Sequence, residues 1–221
     1  ALARIERLER AFQMMELGPA LELASKENAL GNPPSDGMVI SSDTSGTRNW
    51  VSNGSIVKLE EVTLTSAASS VNFSDISQNY NHLKLQALAR GSVASTGVDV
   101  CLRFNGDSSS NYDRTYLYSN NTHGNGYEYA QINGIIGYIS ADSSESNYAG
   151  FVDAVIPFYS KTNFNKVARG LSSVSTTTTS KVNQVFQSVQ WRSTSAITSI
   201  LVYPLSGSFK AGSTFVLYGE K

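Results

Sequence analysis

His82 and His123 are the only histidines in the 221-residue chain, so a serine activated by an imidazole base would have to use one of them. Neither sits in a fitting context. His82 opens an alternating apolar run and reads as structural, and His123 lies in the loop Asn120–Gly126. The Gly-x-Ser-x-Gly elbow that would present a nucleophilic serine does not occur. Carboxylates are the second route to chemistry, since glycoside cleavage needs two of them roughly 5–10 Å apart across a cleft. Asp107, Asp113, Asp142, Glu145 and Asp153 fall in or near loops, but nothing in their spacing pairs them. Asn105-Gly106-Asp107 followed by Asp113 offers several oxygens to calcium, yet it lacks the twelve-residue loop and terminal glutamate of that site and reads as a solvated turn. The single cysteine, Cys101, excludes an intramolecular disulfide and any zinc site built on paired thiolates. Glycine-containing loops such as Gly124-Asn125-Gly126 lack the lysine or helix of a phosphate cradle. No catalytic residue, metal ligand or cofactor is assigned, and the chain reads as a non-enzyme.

Tyrosine is the more informative residue. Of the 11 tyrosines, Tyr112, Tyr116, Tyr118, Tyr127, Tyr129, Tyr138 and Tyr148 fall in one third of the chain, interleaved with Ser, Asn and Gly. This mixture combines rigid amphipathic rings with adaptable hydrogen bonding, as binding surfaces do. Tyr112, Tyr116, Tyr118, Asn120, Asn121, His123, Tyr127 and Tyr129 are therefore the candidate receptor-binding residues, expected on loops held by a rigid scaffold. Aromatic faces stack on sugar rings, and with a net charge of only -1 a surface of this kind suits a neutral host-surface glycan more than an anionic polymer. The competing reading is that the tyrosines fill sheet surfaces and subunit contacts, which they also favour.

The elements that must carry these residues are mostly strands. Ser, Thr and Asn number 34, 15 and 17, and charged residues make up only 16% of the chain, a composition that favours turns and pleated surfaces over helix interiors. Leu83, Leu85, Ala87 and Ala89 alternate on one strand face and Val98, Val100, Leu102 and Phe104 on another, with Lys84, Gln86, Asp99, Cys101 and Arg103 opposite. Further strands are expected over 115–119, 127–132, 150–158, 166–174, 182–191, 197–203 and 213–218. Strands this closely spaced, with no helix between them, predict a mainly β fold, an antiparallel two-sheet β-sandwich of jelly-roll-like form. Residues 59–221 would form this display domain, and residues 36–58 a short β collar with turns at Asp43–Gly46 and Asn53-Gly54.

Residues 1–35 differ from the rest and predict a short N-terminal helical segment. Ile5, Leu8, Phe12 and Met15 are spaced three, four and three apart, the seam of a coiled coil, and Arg4, Glu6, Arg7, Glu9 and Arg10 flank it. Gly18-Pro19 interrupts this helix and starts a second, which Gly31 and Pro33-Pro34 end. Two heptads are marginal alone, so the stripe is expected to self-associate or dock. No polar residue occupies the seam, which favours three strands over two. A net charge of -1 provides no field for nucleic acid. No run approaches the roughly 20 apolar residues of a membrane span.

Three segments carry a family resemblance: Phe73–Leu85 (FSDISQNYNHLKL), Leu102–Asp107 (LRFNGD) with Tyr112, and Trp191–Ile197 (WRSTSAI) leading to Phe209–Gly219 (FKAGSTFVLYG). They resemble the C-terminal β-domain of bacteriophage fibre and spike proteins, and Met38–Val51 is similar to the short β repeats of phage fibre shafts. The resemblance implies a homotrimeric virion structural protein, a tail fibre or head fibre on the particle surface. It would be anchored to other phage virion proteins by its N-terminal helices and would display its C-terminal domain for host attachment. It implies no catalytic residues. Two other readings stand beside it: a free carbohydrate-binding module and a polysaccharide-cleaving spike. If the helical segment assembles the protein, removing residues 1–35 will lower the oligomer mass in solution and abolish virion incorporation. Unchanged mass together with normal incorporation would overturn that role.

Overall fold

The computed structural model describes residues 38–42, 44–52, 56–119, 123–175 and 182–221. The expected helices of residues 1–35, with Ile5, Leu8, Phe12 and Met15, lie outside these residues, as does the Asn53-Gly54 turn. The chain divides into two compact units, Ala1–Ser55 and Ile56–Lys221. In the first, strands β1 (Met38–Ser42) and β2 (Arg48–Ser52) form an antiparallel hairpin that pairs Val39 with Val51 and Ile40 with Trp50. Its turn uses the left-handed conformation of Gly46, at φ 82°.

The second unit is built of antiparallel sheets, with no helix among the described residues. Its strands are β3 (Ile56–Thr63), β4 (Val71–Phe73), β5 (His82–Ala89), β6 (Gly97–Phe104), β7 (Tyr112–Ser119), β8 (His123–Gln131), β9 (Gly134–Ser140), β10 (Gly150–Pro157), β11 (Lys166–Val174), β12 (Asn183–Trp191), β13 (Ile200–Pro204) and β14 (Thr214–Glu220). β3 belongs wholly to this unit, so residues 56–58 leave the expected collar. Of the elements not anticipated from sequence, β4 is only three residues long and β9 begins at Gly134 and is interrupted by Gly137.

The larger sheet runs β3-β14-β5-β10-β11-β12-β7-β8 and the smaller β4-β13-β6-β9. Two hairpins, β7–β8 and β11–β12, lie side by side at one end of the larger sheet. Without them eight strands remain, which, numbered one to eight along the chain, run 1-8-3-6 in one sheet and 2-7-4-5 in the other. Both hairpins are therefore additions that widen one sheet only.

A single core draws on both sheets, with Leu83, Leu85, Val152, Ala154, Phe215 and Leu217 from the larger and Val71, Phe73, Val100, Leu102, Phe104, Ile139 and Val202 from the smaller. The alternation expected for β5 and β6 is present, but Cys101 is also fully buried, so it does not lie on an open polar face. β6 is covered on both sides at this point, and burial, with Asp99 adding to it, pushes the thiol up to about 12.

The two sheets come closest where β9 crosses β10, β11 and β12. Ile136 is the extra residue of a bulge, since Gly137 pairs with Val100 and Ile135 with Cys101. A Cβ on Gly170 of β11 would fall inside the Ile136 carbonyl, and one on Gly137 would stand 2.6 Å from Val152 Cγ2. Two serines tie the crossing: Tyr138 N donates to Ser172 Oγ at 3.0 Å and Ser140 Oγ donates to the Ser175 carbonyl at 2.9 Å. The obstacle at Gly170 is backbone, which has no rotamer by which to yield. Gly170→Ala is expected to destabilise by about 3 kcal/mol, the upper end of ordinary overpacking, and to lower Tm by roughly 6–12 °C for a domain of this size. Calorimetry checks this, and an unchanged Tm would show that β9 is free to lift.

Candidate functional site

β7 presents Arg114, Tyr116 and Tyr118 to the inner side of the larger sheet, where they pair with Val189, Gln187 and Val185 of β12. Burial is graded along this face. At one end Tyr112 and Trp191 are covered by the smaller sheet; at the other Tyr116, Val185 and Asn183 are half-buried and Tyr118 is exposed. The smaller sheet stops between these ends, and the remaining gap is a pocket of about 290 Å³. Its lining is Arg114, Tyr116, Tyr118 and Ser119 of β7, Asn183, Val185 and Gln187 of β12, Asp99 of β6 and Tyr138 of β9.

The tyrosines are seated by glycines. Gly126 pairs with Tyr116 and Gly124 with Tyr118, and a Cβ at Gly124 would stand 2.5 Å from the Tyr118 hydroxyl. Each ring therefore lies over bare backbone of β8, and the two stack with centroids 6.4 Å apart at 28°. Arg114 forms the floor. Its Nε and Nη2 donate to the two carboxylate oxygens of Glu128 at 2.8 and 2.6 Å, and Nη1 donates to Gln187 Oε1 at 3.3 Å. Asp99 Oδ2 is 3.9 Å from Nη1, and the guanidinium lies 4.7 Å from the Tyr116 ring centroid. Burial raises the Asp99 pKa, Arg114 opposes the rise, and Glu128 adds to it.

The candidate receptor-binding residues separate under this geometry. Tyr116 and Tyr118 meet in the pocket. His123 and Tyr127 pair with Ser119 and Thr115 and so face the opposite, outer side of the sheet. Tyr129 is exposed and lies under the Arg192 guanidinium, 4.4 Å from its ring centroid. Asn120 and Asn121 are outside the described residues. Most of this set lies on two paired strands instead of the expected loop. The outer side also carries an apolar row in register, Leu171, Phe186 and Leu117, at 47%, 44% and 54% exposure.

Tyr112 is a correction, for it is fully buried. Its hydroxyl accepts from Phe104 N at 2.9 Å, and its ring stacks with Trp191 at 6.4 Å beside Phe104. It is a core residue because the smaller sheet covers this end of β7. Tyr138 belongs to the tyrosine-rich third but not to the candidate set, and Asp99, Arg114, Glu128, Asn183 and Gln187 carry no such expectation from sequence. Together they come from five strands, and only the pairing of β12 with β7 and the crossing of β9 bring them together.

Asp107 closes the rim of the aromatic cluster. Trp191 Nε1 and Asn111 Nδ2 donate to its Oδ2 at 2.7 and 2.9 Å, and Ser109 N donates to Oδ1 at 2.8 Å. Both oxygens face hydrogens, which is the wrong surrounding for a cation. Among the described residues no cluster of three or more His, Cys, Asp or Glu side chains suits a metal ion.

No family model and no curated protein matches the sequence. Among solved structures, a galectin of Caenorhabditis elegans is similar at TM-score 0.24 and 11% identity, over 73% of this chain and 95% of its own. A marine alginate lyase from Aplysia kurodai is similar at TM-score 0.25 and 10% identity, over 82% and 87%. Likenesses this slight carry no argument about fold or function.

Burial pushes the Asp107 carboxyl upward, but the hydrogen bonds from Asn111, Trp191 and Ser109 outweigh it and hold the group at about 2. The ordinary unfolded value is about 3.9. The folded pKa is depressed, so the stabilisation is complete above about pH 4 and is lost as pH falls toward 2. Asp107→Asn turns an amide N–H toward these donors and is expected to cost about 1–3 kcal/mol at neutral pH. The variant should also lose less stability than wild type between pH 4 and 2. Denaturant melts across that range check it, and parallel acid limbs for the two proteins would refute the assignment.

Proposed function

We propose that this chain is a non-enzymatic virion structural protein, a trimeric fibre or spike on a phage tail or capsid, whose second unit attaches to a host-surface glycan through the Tyr116–Tyr118 pocket. In this reading the unit is a jelly-roll-like β-sandwich. The 1-8-3-6 and 2-7-4-5 strand orders support it, because they are those of two Greek keys closed on each other. The virion role rests on the phage-fibre resemblance of residues 73–85, 102–107, 191–197 and 209–219 and on the N-terminal stripe, which would give the display unit a means of assembly.

The pocket is the observation that carries the binding role. Tyr116, Tyr118 and Tyr138 supply ring faces and edges for the apolar side of a sugar, while Asn183, Gln187 and Asp99 supply donors and acceptors for its hydroxyls. A volume of about 290 Å³ lies at the small end of ligand sites, roughly 300–1,000 Å³, and suits one or two sugar rings at a time. Binding is favoured over cleavage because Asp99 is the carboxylate among the described lining residues, while Glu128 is committed to two hydrogen bonds with Arg114. An acid and a partner base or nucleophile spanning an open cleft are not arranged here.

Tyr116→Ala and Tyr118→Ala are each expected to weaken binding of the purified protein to host cells about tenfold, equivalent to about 1.4 kcal/mol, in variants that remain folded at the assay temperature. Cell adsorption and glycan-array binding measure this. Wild-type adsorption by both variants would remove the pocket from the function. Normal infection by virions lacking the protein, together with no adsorption by wild type, would leave a purely structural role.

A further inference from the structure

The pocket contains a cation that its surroundings have already neutralised. Arg114 gives two donors to Glu128 and one to Gln187, has Asp99 at 3.9 Å, and is flanked by the Tyr116 ring. Its side chain is only 12% exposed. An arginine that receives an anionic ligand must keep its planar fork open for a bidentate contact. Here Glu128 occupies the fork. One guanidinium against two carboxylates leaves this group with a net charge of -1 when both acids are ionised, in a site half-closed by protein where charges are weakly screened.

We propose that Glu128, by occupying the Arg114 fork, makes this pocket selective for uncharged sugar units and excludes uronate- and sialate-bearing ones. The inference rests on the glycan reading of the pocket and adds to the expected neutral ligand the residue and the geometry that would enforce that selectivity. Glu128 does not line the pocket; it acts through Arg114 and is a specificity-determining residue behind the wall. With the guanidinium occupied, hydroxyl recognition falls to Gln187 Nε2, the Asn183 amide, the tyrosine hydroxyls and the Asp99 carboxylate. These donors and acceptors pair with hydroxyls, whereas a ligand carboxylate would meet Asp99 as a like charge and find Arg114 already compensated by Glu128.

The test uses full-length protein and an array of neutral, hexuronate-bearing and sialate-bearing oligosaccharides, each acidic glycan accompanied by its carboxyl-reduced counterpart. Wild type is expected to bind neutral or reduced members at least tenfold more tightly than the acidic partner of the same skeleton. Glu128→Gln keeps the shape but takes this group from a net charge of -1 to 0, leaving Arg114 opposed by Asp99 alone, and should shift the acidic-to-neutral binding ratio at least tenfold toward the acidic form, an effect that added salt diminishes. Wild type that binds an acidic glycan as tightly as its reduced counterpart, with that binding sensitive to Tyr116→Ala, would overturn the inference while leaving the glycan site standing. Absence of binding to every array member and to host polysaccharide would overturn both. The matched-pair comparison on wild type requires no variant, so a failure of Glu128→Gln to fold leaves the proposal open to refutation.

Discussion

The near-contact of two backbones, β9 on β11, is the constraint from which much of this architecture follows. Ile136 projects its carbonyl from a bulge directly over Gly170, and Gly137 approaches Val152 and Ser172 of the same sheet. Side chains on both partners would hold the sheets at the usual separation of about 10 Å; with glycine on each, the edge strand of the smaller sheet descends onto the larger. Ser172 Oγ then reaches Tyr138 N, satisfying a backbone donor that the crossing would otherwise strand. β9 is an edge strand, and edges need cover. Pressing it onto β10–β12 supplies that cover from within the unit.

A second consequence concerns the widened sheet. The four-stranded sheet is too narrow to cover eight strands, so the inner face of the added strands β12 and β7 is covered only as far as β9 and β6 extend. Residue character follows this limit. Trp191, Val189 and Tyr112 lie under cover and are apolar or hydrogen-bonded within the core, whereas Asn183, Val185 and Tyr118 lie beyond it. Arg114 stands at the boundary, and its position explains its partners: a cation only 12% exposed must be compensated. Glu128 does this with two bonds across the β7–β8 pair, the cross-strand arrangement that also holds the hairpin in register. Stability of the hairpin and the electrostatics of the pocket are thus set by one interaction.

Period-two alternation made much of the fold legible in the sequence. β11 spans Lys166–Val174 as the pattern required, and β5 buries Leu83, Leu85, Ala87 and Ala89. β9 was not legible because Gly134-Ile135-Ile136-Gly137 alternates nothing; its glycines answer a surface on another sheet, which only the tertiary fold specifies. The tyrosine cluster was visible in composition, but which face each ring takes depends on strand pairing. A strand that begins at Tyr112 puts 112, 116 and 118 on one side, and the cover over that side then sends Tyr112 to the core and the other two to the surface. Asp99 and Gln187 carried no local signal, since their relevance comes from neighbours that are 15 and 73 residues from Arg114 in sequence.

His123-Gly124-Asn125-Gly126 reads locally as a flexible turn, yet it forms the first half of β8, paired with β7. Glycine inside a strand weakens it, because no side chain packs and the unfolded chain has more freedom to lose. Here the deficit is offset across the strands: Tyr116 and Tyr118 lie over Gly126 and Gly124, and each ring covers backbone that would otherwise be bare. The exchange works in both directions. A side chain at either glycine would push the ring off the sheet and into the space the pocket occupies, so the absent Cβ atoms fix the orientation of the rings as well as permitting it. Stacked on each other and seated on backbone, the two tyrosines have little rotamer freedom left to lose when a ligand arrives, which is the condition under which aromatic contact converts into affinity. The same glycines that obscure the strand in the sequence are what hold the pocket open.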